Sequence, residues 1–138
     1  MDVFDTEKRS EIMRRVKGRD TTPELLVRRL VHRMGYRFRL HRKDLPGKPD
    51  LVFPGRRKII FVHGCFWHGH TCRRGRNRPS TRREYWDRKL DRNKERDQQT
   101  TRRLRRMGWS VLIVWECQLR PSKIDTTLRR IQRFLDRE

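Results

Sequence analysis

The chain has 138 residues, with 38 Lys and Arg against 17 Asp and Glu, and a formal net charge of +21. This length fits one domain with a single core and excludes a large two-domain enzyme. The positive charge predicts a polyanionic partner such as nucleic acid, bound with a steep dependence on salt. Hydrophobic residues make up only 33% of the chain, but they occur in clean runs, which favours a folded domain over disorder.

Export and membrane insertion are not predicted. Residues 1–10 lack the apolar core of a signal peptide, and no apolar run approaches the about 20 residues of a membrane span. The three cysteines, an odd number, argue against a disulfide framework and for reduced thiols. We therefore expect a cytoplasmic protein.

Two helices are predicted in the first part of the chain. Asp5 or Thr6 can cap a short basic helix that ends near Gly18. A second helix begins at Thr22-Pro23-Glu24 and ends at Gly35. Alternating or continuous apolar residues then predict three strands, at 36–40, 51–53 and 58–62.

The second part of the chain predicts a helix, a strand and a helix. After a basic loop at 73–79, Thr81 to Glu84 fits a capping box that opens a long helix, and Gly108 ends it. Residues 109–115 form a buried strand, and apolar spacing from Ile124 onward predicts an amphipathic helix. The order predicts one α/β domain over residues 1–138, with a mixed central sheet flanked by helices.

The cysteines and a nearby histidine have the spacing of a zinc site. Cys65 and Cys72 lie within eight residues of each other, and Cys117 can supply a further thiolate if its strand ends beside them. A closed set of three cysteines and one histidine is a structural zinc site, with no open position for water. Three histidines compete for the remaining position, and His70 is favoured over the other two because it shares a short turn with Cys72: His63, His68 and His70.

A second pattern indicates phosphodiester chemistry. Asp50 follows Pro49 at the start of a strand, and a second apolar strand comes about ten residues later, which is similar to the PD-(D/E)xK nuclease layout. The second half departs from that pattern, because the expected acid and lysine positions hold Phe61 and His63. His63 and His68 could instead act as general acid or base, since imidazole titrates near neutrality.

Five segments together resemble the very-short-patch-repair (Vsr) DNA mismatch endonucleases. They are LPGKPD at 45–50, IFVHGCFWH at 60–68, TRREYW at 81–86, NKERD at 93–97 and GWSVLIVWEC at 108–117. The resemblance covers nearly the whole chain, roughly residues 5 to 135. It implies a restriction-endonuclease-like PD-(D/E)xK core that nicks DNA 5′ to the thymine of a T·G mismatch, left by deamination of 5-methylcytosine.

The resemblance also implies roles for particular residues. Asp50 and the backbone carbonyl of Val62 would hold Mg²⁺, and His68 would be the chief catalytic histidine, assisted by His63. Glu24 and Asp97 match acidic positions near the family's site. The implied structural Zn²⁺ ligands agree with the spacing: Cys65, His70, Cys72 and Cys117.

Aromatic residues and one methionine are the expected DNA wedges. In the family, rings matching Phe66, Trp67 and Trp86 enter a base step from the major groove, and a methionine matching Met13 enters the minor groove. Unstacking a mismatch costs less than unstacking a matched pair, which provides a route to mismatch preference. On the residues alone, the same side chains could instead fill the core. Residues 1–20 would form a DNA-contacting helix or arm.

The partners and alternatives follow from the same resemblance. We expect a bacterial, nucleoid-associated monomer acting on double-stranded DNA with a T·G mismatch, with mismatch-repair proteins as candidate partners. One alternative is a Vsr-like nickase of broader specificity that serves restriction or phage defence. Another is a non-catalytic zinc-stabilised DNA-binding module.

Overall fold

The computed structural model describes residues 21–40 and 42–137. The basic helix predicted within residues 1–20, which includes Met13, lies outside the described residues. None of the helices in the described part of the chain is long and apolar enough to span a membrane.

The described residues form four helices and four strands. In chain order they are α1 (Thr22–Arg33), β1 (Arg39–Leu40), β2 (Leu51–Phe53), β3 (Lys58–His63), α2 (Arg73–Arg76), α3 (Arg83–Arg106), β4 (Ser110–Trp115) and α4 (Ile124–Asp136). Short 3₁₀ turns at Pro54–Arg56 and Glu116–Leu119 follow β2 and β4. The strands lie in the order β1-β2-β3-β4, with the first three antiparallel and β4 parallel to β3. The predicted mixed sheet flanked by helices is confirmed.

The parallel pairing of β3 and β4 determines where the functional residues lie. Ile60 pairs with Leu112, and the last residues, His63 and Trp115, are also partners. Because parallel strands end at the same edge of a sheet, the segments after His63 and after Trp115 leave from one edge. Residues 64–72 and Cys117 are thereby brought together.

Helices cover both faces of the sheet. On one face, Val27 of α1 and Ile131 of α4 pack with Leu51 and Ile60, and on the other, Leu104 of α3 packs with residues such as Ile59. Neighbouring residues of β2 and β3 therefore point to opposite faces, and both sides are apolar. Because both faces of the sheet are buried, the central strands need apolar residues on both sides, which explains their continuous hydrophobic runs in the sequence.

Three of the predicted elements differ from the observed ones. The basic loop predicted at 73–79 begins with the short helix α2. The predicted strand at 36–40 forms only Arg39–Leu40, and both residues are exposed. The capping box predicted at Thr81 is absent, because α3 starts at Arg83 after Arg82, which has a left-handed φ of 57° and no side-chain cap. A capping box does open α1, where Thr21 and Glu24 each accept a hydrogen bond from the other's backbone N–H.

A cleft of acids and histidines beside a cysteine cluster

An open cleft of about 960 Å³ lies beside the shared edge of β3 and β4. It is lined by residues from the start of α1, the turn before β2, the end of β3 and one face of α3. All five residues predicted to be catalytic line it, together with Val62: Glu24, Asp50, His63, His68 and Asp97. Residues more than 70 positions apart in the chain therefore share one surface.

Asp50 is held between a backbone amide and a second acid. The N–H of Val62 donates a hydrogen bond of 2.7 Å to Asp50 Oδ2. Burial, together with the neighbouring carboxyl of Glu24, raises the pKa of Asp50 to about 7 against the opposing effect of the Val62 amide. Glu24 is buried and accepts a hydrogen bond of 2.8 Å from Arg28 Nη2. Two adjacent carboxyl groups, one buried and one partly buried, fit a hard divalent cation such as Mg²⁺, which favours oxygen ligands.

The two histidines of the cleft stack on each other, and one of them contacts an acid. The rings of His63 and His68 are 3.7 Å apart and tilted by only 5°. His68 Nδ1 lies 2.6 Å from Asp97 Oδ2. Burial, together with the charge of a protonated His68, lowers the pKa of His63 to about 3. His63 is therefore neutral, and its buried Nδ1 has no hydrogen-bond partner within the described chain.

The second cluster contains all three cysteines. One ligand atom from each of Cys65, His70, Cys72 and Cys117 lies within 4.8 Å of the others. The backbone N–H of Cys117 donates to Cys65 Sγ at 3.4 Å, and Cys117 Sγ lies 3.5 Å from His70 Nδ1. Three sulfurs and one imidazole nitrogen in this arrangement fit the tetrahedral donor set of structural zinc.

The thiols of this cluster differ in acidity. Burial raises the pKa of Cys65 to about 12, so this thiol loses its proton only beside a strong positive charge such as a bound cation. For Cys72, burial is outweighed by hydrogen bonds from the backbone N–H of Gly75, from the thiols of Cys65 and Cys117 and from the backbone N–H of Arg74, and the pKa is lowered. Gly75 itself lies so close to His70 that an added Cβ would be 2.0 Å from the His70 carbonyl oxygen.

The turn between the two clusters separates the histidines. Backbone bonds from His68 to Gly64 and from His70 to Cys65 fold residues 64–70 tightly. As a result, His70 joins the cysteines, whereas His63 and His68 join Asp97. The spacing-based preference for His70 agrees with this geometry.

Trp115 lies between the two clusters, a position that was not predicted from the sequence. Its ring stacks on His70 at 4.1 Å and meets His63 edge-on at 5.2 Å. Its sequence signals were its place at the end of an apolar strand and its position in the segment at 108–117 that resembles the family. Asn93 lies in the similar segment at 93–97 but was given no role of its own, and its side-chain amide donates a 3.0 Å hydrogen bond to the carbonyl of Trp67.

The three predicted wedge residues form one partly exposed aromatic group, of which Trp67 lines the cleft. Ring centroids are 5.1 Å apart for Phe66 and Trp67, 5.5 Å for Phe66 and Trp86, and 5.9 Å for Trp67 and Trp86. None of the three is among the buried core residues. The alternative that they fill the core is therefore not supported by their burial.

Comparisons with known proteins agree with this arrangement. A family model described as DNA mismatch endonuclease Vsr matches residues 1–74. The type II nicking enzyme V.XorIIP of Xanthomonas oryzae pv. oryzae is 49% identical over 98% of this chain and 97% of its own length. DNA mismatch endonuclease Vsr of Escherichia coli K12 is 46% identical over 86% of this chain and 76% of its own length. The type II nicking enzyme V.NmeAIP of Neisseria meningitidis serogroup A is 39% identical over 89% of this chain and 87% of its own length.

These relatives define the class, which is that of DNA endonucleases. The chain belongs to the Vsr DNA mismatch endonuclease family, as the family model and the E. coli relative both show. The alternative of a non-catalytic DNA-binding module is excluded by this membership.

Proposed function

We propose that this endonuclease is a magnesium-dependent nickase that cuts one DNA strand 5′ to the thymine of a T·G mismatch. The observation that supports it best is the convergence of an acid pair, Asp50 and Glu24, with the His68–Asp97 pair in one cleft. The E. coli relative is named a mismatch endonuclease, and two others are named nicking enzymes. We assign the cleft to the PD-(D/E)xK class because Asp50 follows Pro49 immediately before β2.

Asp50 would hold Mg²⁺ together with the carbonyl of Val62, with Glu24 beside them. When bound, the cation stabilises charge on the phosphate oxygens and lowers the pKa of water. The Asp50 carboxylate is oriented for this by the 2.7 Å bond from the Val62 amide. The acid pair favours a cation, because a positive charge relieves the repulsion between two carboxylates.

His68 is the proposed general base. The carboxylate of Asp97 accepts the hydrogen bond from His68 Nδ1–H, which orients the ring and leaves Nε2 able to take a proton from water. His63 stays neutral beside it and so does not oppose the charge that His68 acquires. We propose that His63 assists by maintaining the ring position of His68 through stacking.

The zinc site would be structural. Four protein ligands fill a tetrahedron and leave no position for water, so zinc there would hold the loop 64–72 and Cys117 together. A Cys117→Ser variant should contain less than one zinc per chain and unfold at a lower temperature. Full zinc content and unchanged unfolding would refute this role.

The DNA-contacting roles follow from exposure and charge. Phe66, Trp67 and Trp86 would enter the base stack, and Met13 in the arm at residues 1–20 is proposed to act from the minor groove. We expect a single copy to suffice, since one chain supplies both clusters. A nick must be processed by other enzymes, so mismatch-repair proteins are the expected partners, in the bacterial cytoplasm at the nucleoid.

The test is a nicking assay on end-labelled duplexes, one with a single T·G mismatch and one fully matched. Zinc-loaded protein with magnesium should nick the mismatched duplex on the thymine strand only. Asp50→Ala should abolish the nick, whereas Asp44→Ala, an exposed acid paired with Arg42 outside the cleft, should not. Equal cutting of the matched duplex would favour the nickase of broader specificity in restriction or phage defence, and no metal-dependent nick on either duplex would refute both.

A further inference from the structure

Lys48 has an unusual backbone conformation in the wall of the cleft. Its φ is 48°, in the left-handed region, although it carries a side chain. Left-handed backbone is costly for residues other than glycine, asparagine and aspartate, and such strain concentrates at functional sites. Lys48 lines the cleft two residues before Asp50.

The neighbouring residues determine this conformation. Gly47, with φ 76°, packs so closely on α3 that an added Cβ would lie 2.3 Å from Thr100 Cγ2. On the other side, Pro49 is buried and leads directly to Asp50. The turn is therefore pinned to α3 and to the sheet, and Lys48 is presented at a set position instead of swinging with a loose loop.

The charge of Lys48 is available to a ligand. The residue is exposed, and it forms no ion pair with a carboxylate of the described residues. The other lysine and arginine that line the cleft, Lys89 and Arg96, are both on α3. Among the described residues, Lys48 is thus the only lysine or arginine that lines the cleft on the Asp50 side. In addition, the lysine that the PD-(D/E)xK pattern expects on β3 is missing, since that position holds His63.

We propose that the Lys48 ammonium contacts the scissile phosphate beside Asp50 and stabilises the negative charge that develops there during hydrolysis. The ammonium forms no covalent bond with the substrate and transfers no proton. If the residue served only the turn, glycine or asparagine would adopt this backbone at lower cost. The inference rests on the proposed nickase function and adds a catalytic residue to it.

The experiment separates backbone strain from charge. Lys48→Gly removes the ammonium but suits the left-handed φ, Lys48→Arg keeps a positive charge, and Lys43→Ala removes an exposed lysine of the same loop that does not line the cleft. The unfolding temperature is measured for each, with DNA affinity without magnesium and the single-turnover nicking rate at saturating zinc-loaded protein.

Lys48→Gly should keep or raise the unfolding temperature and still lower the saturated rate about 10- to 100-fold, as expected for loss of a transition-state charge contact. Lys48→Arg should recover most of that rate, and Lys43→Ala should nick like the native protein. A native rate for Lys48→Gly at saturation, or equal losses for Lys48→Gly and Lys43→Ala, would overturn the inference. If nicking is abolished by Asp50→Ala but is unchanged in Lys48→Gly, only this inference fails. If the native protein nicks neither duplex, the proposed function fails as well.

Discussion

Replacing Asp50 with asparagine should stabilise the magnesium-free protein while abolishing nicking. Burial and the adjacent Glu24 raise the pKa of Asp50 from 3.8 to about 7. At 1.36 kcal/mol per pKa unit, the ionised form costs up to about 4 kcal/mol in the folded chain. Asparagine resembles the protonated acid in shape and can still accept the hydrogen bond from the Val62 amide. We expect a gain of about 1–4 kcal/mol at pH 8, the lower part of the range reflecting local relaxation.

The sign of the pH dependence follows from linkage. Below pH 3.8 Asp50 is protonated in both folded and unfolded chains, so its full stabilising contribution is present. That contribution is lost as the pH rises through about 7, where the folded chain must carry the ionised acid. The advantage of Asp50→Asn should therefore be large at pH 8 and small near pH 4.

Urea unfolding of zinc-loaded protein at several pH values measures this difference. Asp44→Asn, which removes an exposed acid, is the matched control and should show no such gain. Added magnesium should stabilise the native protein at pH 8 but not Asp50→Asn. A loss of stability in Asp50→Asn at pH 8 would mean that folded Asp50 is already ionised and favourably paired, and the reasoning would be wrong.

Three further outcomes are expected. Asp97→Asn removes the carboxylate 2.6 Å from His68 Nδ1 and should lower the single-turnover nicking rate about 100-fold with little change in DNA affinity, whereas an unchanged rate would exclude His68 as a base oriented by Asp97. Gly75→Ala would place a Cβ 2.0 Å from the His70 carbonyl oxygen and should lower both bound zinc, measured by atomic absorption, and the unfolding temperature. Gly55→Ala, where the added Cβ meets nothing within 4 Å, is its control, and equal zinc content in the two variants would contradict the prediction. With a net charge of +21, DNA affinity measured by fluorescence anisotropy should fall about 1000-fold or more between 50 and 200 mM salt, and a flat response would show that few phosphates are contacted.

Local sequence patterns were sufficient to predict most of the helices and strands. The strand predicted at 58–62 is observed at Lys58–His63, because a short continuous apolar run bounded by turns is typical of a strand that is buried on both faces. The strand predicted at 36–40 is mostly absent, since Tyr36 and Phe38 pack against the core without pairing to β2. The start of α3 also differs, and Arg78, which bonds Asp87 and the Gly75 carbonyl, ties down the chain before it. Such tertiary contacts leave no trace in a capping motif.

The sequence indicated which residues belong to the site better than it indicated which of them lie together. Cysteine spacing and the family resemblance indicated the ligands, but the turn hydrogen bonds of residues 64–70 decide which histidine joins which cluster. The pairing of His68 with Asp97 spans 29 positions and depends on how α3 lies across the sheet. The left-handed backbone of Lys48 follows the close packing of its neighbour Gly47 against Thr100, which sequence spacing does not reveal.

The position of Trp115 limits which substitutions this site can accept during evolution. One indole ring is the wall of both clusters, in contact with His70 on its face and with His63 at its edge. A replacement that suited one cluster would alter the spacing of the other at the same time. We therefore expect the metal-binding scaffold and the histidine pair to be inherited as a unit, while the exposed surface of α3 outside the cleft is free to diverge between relatives.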